Sequence, residues 1–66
     1  MHHDQASERA SLHHKRELLV RQLDDLEVQA ERFARRSTPL LLTQRLRQVR
    51  DELARVEAEL ATLDAQ

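Results

Sequence analysis

Four histidines are the first residues whose type suggests chemistry: His2, His3, His13 and His14. A metal ion held by one helix needs ligands about one turn apart, as in a His-x-x-x-His arrangement. Here the histidines come as adjacent pairs, whose side chains diverge by about 100° on a helix. His3 and His14 would stand about 16 Å apart along the axis. The chain has no cysteine, and no carboxylate is placed to complete a ligand set. The histidines therefore read as solvated side chains, with a site shared across a symmetric dimer or a pH response as the alternatives. No metal and no cofactor is expected.

The carboxylates are the next candidates. Asp24 and Asp25, Glu27 and Glu31, and Asp51 and Glu52 stand close in sequence, as acid–base pairs must stand close in space. On helical wheels most of them occupy outward positions interleaved with arginine. One hairpin offers no concave site to hold a substrate. There is no Ser–His–acid set, no Gly-rich phosphate loop and no nucleophilic cysteine. No catalytic residue is assigned, and the chain is not expected to be an enzyme.

The arginines form the densest chemistry-bearing group. Arg32, Arg35 and Arg36 precede the only proline, and Arg45, Arg47 and Arg50 follow it. If the chain turns between them, the six converge on one pole. Solvated charge complementing a helix dipole accounts for such a group, as does contact with an acidic protein surface. Contact with nucleic-acid phosphate is the third reading. Stacking aromatics are missing, since Phe33 is the only aromatic residue.

The elements that must position these groups follow from composition. The chain has 66 residues, no glycine and one proline, and its formal net charge is −1. Alanine, leucine, glutamate, arginine and glutamine dominate, all strong helix formers. β-Branched residues are few, which argues against a sheet. So short a chain buries little apolar surface alone, and disulfides are excluded, so self-association or a larger partner is the default. No apolar run approaches the roughly 20 residues of a membrane span. The N-terminal residues lack a secretion-signal pattern, and a cytoplasmic location is the reading. Ten arginines against one lysine hint at a GC-rich bacterial or phage genome.

Apolar periodicity gives the helices. Leu12, Leu19, Leu26 and Phe33 recur every seven residues, with Leu23 and Ala30 between them. That is the four-three spacing of a coiled-coil seam. A second stripe runs through Leu42, Leu46, Val49, Leu53, Val56, Leu60 and Leu63. Glu17–Arg21, Glu31–Arg35 and Asp51–Arg55 stand at i, i+4 spacing, each worth about 0.2–0.5 kcal/mol on a helix surface.

The two stripes are not one. Continuing the first predicts apolar residues at 37, 40, 44 and 47, where the chain has Ser37, Leu40, Gln44 and Arg47. The second stripe starts about two residues out of phase. Pro39 supplies the break, because it lacks a backbone donor and disfavours a helical Thr38. At the first position of a new helix it is welcome, with Thr38 as N-cap. The expected organisation is a frayed N-terminus over 1–5 and a single helical unit over 6–66. Within it, helix 1 covers about 6–36, the turn 37–38, and helix 2 about 39–64. Arg32, Arg35 and Arg36 would close helix 1.

The fold class expected is all-α: an antiparallel, coiled-coil-like two-helix hairpin, dimerising into a four-helix bundle or docking on a partner. Its seam is Leu19, Leu23 and Leu26 against Leu46, Val49, Leu53, Val56 and Leu60. In this arrangement Arg9, Lys15, Arg16 and Arg21 lie beside Glu57, Glu59 and Asp64. Leu18, Val20, Val28, Leu40 and Leu41 fall off the seam and broaden the apolar face. Leu40 and Leu41, with Phe33, form an apolar patch rimmed by Arg32, Arg35, Arg36 and Arg45. That is the composition of a partner-binding contact, or alternatively of the closed end of a bundle.

In helix–turn–helix length and leucine spacing, over most of the chain, the sequence resembles two groups of small hairpins. One is the Rop-type RNA-binding four-helix bundles of plasmid copy control; the other is the YscE-like co-chaperones of type III secretion. Neither resemblance assigns a functional residue here. The function expected is a non-enzymatic protein–protein interaction module acting through leucine-rich faces: an adaptor, chaperone-like subunit, assembly component or inhibitor. Its partners are a second copy, a larger protein, or both. The alternative is a Rop-like RNA or DNA binder using the arginine-rich turn end. No membrane and no small-molecule substrate is expected.

Overall fold

The structure, a computed structural model, describes residues 5–33 and 37–65. The described residues are helical with no strand, in the order α1 (Gln5–Glu31) and α2 (Leu40–Asp64). The two helices pack against each other as a rod whose principal extents are 55 × 16 × 14 Å. Its antiparallel sense is fixed by ion pairs between the helices, Arg9 with Asp64 at one end and Glu27 with Arg50 towards the other.

α1 ends earlier than the sequence pattern predicts. It stops at Glu31, and Arg32 and Phe33 lie in a turn. The amides of Arg32 and Phe33 donate to the carbonyls of Gln29 and Ala30 at 3.2 and 3.0 Å, three residues back rather than four. This tightening pairs terminal carbonyls that a regular helix would leave open. No described residue has a positive φ, so this end forms without the left-handed cap that glycine usually provides. Two expectations change as a result. The last turn of α1 contains no basic residue, so Arg32 follows the helix instead of closing it. Residues 34–36, with Arg35, Arg36 and the Glu31–Arg35 pair, lie outside the described residues, as does most of the 1–5 segment expected to fray.

α2 begins at Leu40, with Pro39 itself as N-cap at φ −55° and ψ 138°. Thr38 does not cap, and no side chain caps the helix from that position. The carbonyl of Pro39 instead accepts from the amides of Leu42 and Thr43, both at 3.1 Å, and from Thr43 Oγ1 at 3.4 Å. The physical reason is local. Proline fixes φ near the value needed at a helix entrance, and its missing N–H is one that a helix start leaves unpaired anyway.

The core is thin. Leu19, Val49, Val56 and Leu60 are buried, Val56 most fully at 1 % exposure. Leu12, Leu23, Leu26 and Leu53 pack against them half-buried. Leu46 and Phe33 are half-buried as well. These are the four-three positions of the two stripes, which a two-helix packing can shield from only one side each.

Candidate interaction surface

The ion pairs define the surface of the hairpin. Arg9 Nε lies 3.2 Å from Asp64 Oδ1, Arg16 Nη2 lies 3.2 Å from Glu57 Oε2, and Arg50 Nη2 lies 3.1 Å from Glu27 Oε2. Arg16 and Arg50 also donate hydrogen bonds to these carboxylates. Arg9 Nε is shielded from solvent and makes its contact as an ion pair without hydrogen-bond alignment. Among the described residues every ion pair crosses between the helices. The expected pairs within a helix, Glu17–Arg21 and Asp51–Arg55, do not close. None of these four residues has a cross-helix partner among the described residues either; all are exposed to solvent, where pairs within a helix are weak.

Successive helical residues turn by about 100°, and antiparallel helices keep the same angular side on the same broad face. Relative to Leu19 and Val56, which face the partner helix, Arg9, Arg16 and Glu27 flank the seam on one side of α1. Arg50, Glu57 and Asp64 flank it on the matching side of α2. All three bridges therefore lie on one broad face of the hairpin. The opposite face carries Lys15, Leu18, Gln22, Asp25 and Gln29 from α1 with Leu41, Gln48, Glu52, Arg55 and Glu59 from α2. None of its charged residues takes part in an ion pair among the described residues.

Concave surface occurs on both sides: a hollow of ≈ 300 Å³ lined by Arg16, Glu17, Val20 and Arg21 lies beside the bridged face, and two more lie on the unbridged one. A groove of ≈ 390 Å³ is lined by Lys15 of α1 and by Gln48, Asp51, Glu52, Arg55 and Glu59 of α2, with Val56 at its floor. A smaller one of ≈ 150 Å³ is lined by Gln22, Asp25, Leu26 and Arg45. The larger groove carries charge of both signs, three carboxylates against Lys15 and Arg55. Among the described residues no three histidine, aspartate or glutamate side chains gather at a point that would hold a metal ion. No helix among them is long and apolar enough to cross a membrane.

The apolar residues off the seam separate by direction. Leu41 is 80 % exposed and Leu18 47 %, both on the unbridged face. Val20 is half-buried on the bridged face. Leu40, at 69 %, and Val28 point away from the seam altogether. They do not merge into one continuous broadened stripe. At the turn end, Phe33 is half-buried and Leu40 and Leu41 open to solvent. Arg32, Arg45 and Arg47 are exposed, and none forms an ion pair among the described residues. Arg45 donates to Gln48 Oε1 at 3.4 Å. Arg50, expected at the same pole, is instead occupied by Glu27.

The Glu27–Arg50 bridge and the inequality of the two faces are features that stripe reading misses. Glu27 follows the seam residue Leu26 and Arg50 follows Val49, so the signal was the flanking position. No protein-family model matches the chain, and neither a curated protein nor a solved structure matches it.

Proposed function

We propose that the protein is a non-enzymatic protein–protein interaction module, an adaptor or assembly subunit that works by presenting apolar helix surface. The observation that carries this reading is the exposure of Leu40 and Leu41, at 69 % and 80 %, on the first turn of α2. Neither belongs to the hairpin seam, so their aliphatic surface contributes little to folding and is free to contribute to association. Arg32, Arg45 and Arg47 lie in the same turn-end part of the chain, exposed and without an acid partner among the described residues. The contact suits a partner surface that is apolar at its centre and acidic at its rim.

The test compares the native chain with Leu41→Arg by sedimentation velocity, and by titration against a purified partner identified from the host. Loss of association with intact helicity supports the module. Equal association by both chains sinks it. Running the titration across a salt series separates the arginine-based alternative. Leucine-mediated association changes little with salt, whereas binding to RNA or DNA phosphates falls steeply and log-linearly.

A further inference from the structure

We propose that Thr38 is a phosphorylation site whose phosphate switches the turn-end surface, an inference that rests on reading that surface as an interface.

Thr38 is left without a structural task. Pro39 occupies the N-cap that the sequence pattern gives to Thr38, and no side chain caps α2. The chain has three threonines. The two inside α2 donate their hydroxyls to a carbonyl four residues back, Thr43 to Pro39 at 3.4 Å and Thr62 to Ala58 at 3.0 Å. Thr38 is exposed, and its hydroxyl has no partner among the described residues.

The main chain around Thr38 suits a kinase cleft. Residues 37–39 are neither helix nor strand, and Pro39 is extended at φ −55° and ψ 138°. A kinase must lay its acceptor out as an accessible segment to bring the hydroxyl in line with the nucleotide. A proline directly after the acceptor adds no N–H that the cleft would have to satisfy. Ser37 is exposed as well, but only Thr38 stands directly before the proline. In the reaction, Thr38 Oγ1 attacks the γ-phosphorus of a nucleoside triphosphate held by a protein kinase. A P–O bond to Oγ1 forms as the β–γ bridging bond breaks. The hydroxyl proton passes to the kinase's base, and the nucleoside diphosphate leaves.

The surroundings give the phosphate its effect. From Arg32 to Arg50 the sequence holds six arginines and no acidic residue. The first turn of α2 contains no acid either, and the amides of Leu40 and Leu41 have no acceptor among the described residues. A phosphate adds a charge of about −1.5 to −2 and three acceptor oxygens, two residues before Leu40. It supplies the negative charge that the start of a helix favours, and it offsets much of the charge on Arg32, Arg45 and Arg47. Leu40 and Leu41 then lose the positive setting that suits an acidic-rimmed partner. The modified chain is a more stable hairpin and a weaker binder.

The site is tested on the chain recovered from its own cells with phosphatase inhibitors present. Mass spectrometry of the tryptic peptide covering 37–45 should find about 80 Da added at residue 38. An unmodified peptide, or a phosphate on Ser37 alone, overturns the assignment. The switch is tested on the full chain assembled chemically with phosphothreonine at position 38. Phosphorus NMR should place the second ionisation of the phosphate below its free value of about 6, because neighbouring positive charge favours the dianion. Arg32→Gln with Arg45→Gln in the same chain should move it back. The thermal midpoint should rise on phosphorylation and stay unchanged in Thr38→Val, which loses only an unbonded hydroxyl. A free-value ionisation with an unmoved midpoint overturns the switch. The partner that responds to Leu41→Arg should bind the phosphorylated chain about tenfold or more weakly, and equal binding overturns the regulation. An unmodified chain whose Leu41 still governs association removes the site and leaves the module reading standing. A phosphorylated chain whose association ignores Leu41 removes the module reading instead.

Discussion

Arg16 of α1 reaches Glu57 of α2, 41 residues away in sequence, with Nε and Nη2 both 3.2 Å from the same oxygen, Oε2. Arg9 and Asp64 repeat this pairing seven residues earlier on α1 and seven later on α2. A shift of the helices by one turn would break both pairs together, so the bridges help select the register that the leucines also favour.

The strength of the Arg16–Glu57 pair is small because both side chains are 43–50 % exposed. A double-mutant cycle with Arg16→Ala and Glu57→Ala should give a coupling of about 0.2–1 kcal/mol that shrinks at high salt. Urea unfolding followed by circular dichroism measures it. A coupling indistinguishable from zero at low salt would show that the register depends on the apolar seam alone.

Leu60 and Leu53 should separate by burial. Leu60→Ala removes a buried side chain and should cost about 2–5 kcal/mol, enough to unfold much of so small a hairpin. Leu53 packs against the core only half-buried, and Leu53→Ala should cost less, under about 2 kcal/mol. Thermal unfolding of the two variants at one protein concentration provides the comparison, since association also shifts the midpoint.

Leu41→Arg should leave helicity unchanged and shift stability by no more than about 0.5 kcal/mol when measured on the dissociated chain. The side chain is 80 % exposed and has little native packing to lose. A large loss of helicity would mean that Leu41 closes the hairpin itself.

Pro39→Ala should lower stability by about 0.4–1 kcal/mol, chiefly by freeing the unfolded chain. The proline already sits at φ −55°, and the bonds to its carbonyl from Leu42 and Thr43 survive the change. Circular dichroism should find both helices retained. A gain of helical signal would show that the turn had been absorbed into a helix, with the stripes then forced out of phase.

The sequence by itself determined that the chain is helical, that it breaks at Pro39, and which residues line the seam. Periodicity carries that information because a helix places every third or fourth residue on one side whatever it packs against. It also placed Arg9 and Arg16 beside Asp64 and Glu57, since an antiparallel hairpin with a short turn has only a few registers. Tertiary structure decided the rest. α1 stops at Glu31 because its last carbonyls pair three residues on, a choice that propensity does not encode. Pro39 caps α2 in place of Thr38 because its carbonyl is the acceptor that the first turn uses. The bridges lie on one broad face, and Leu18 and Leu41 lie on the other, at different levels along the hairpin. A wheel assigns each residue an angle on its own helix, but only the packed pair determines which sides of α1 and α2 become one surface.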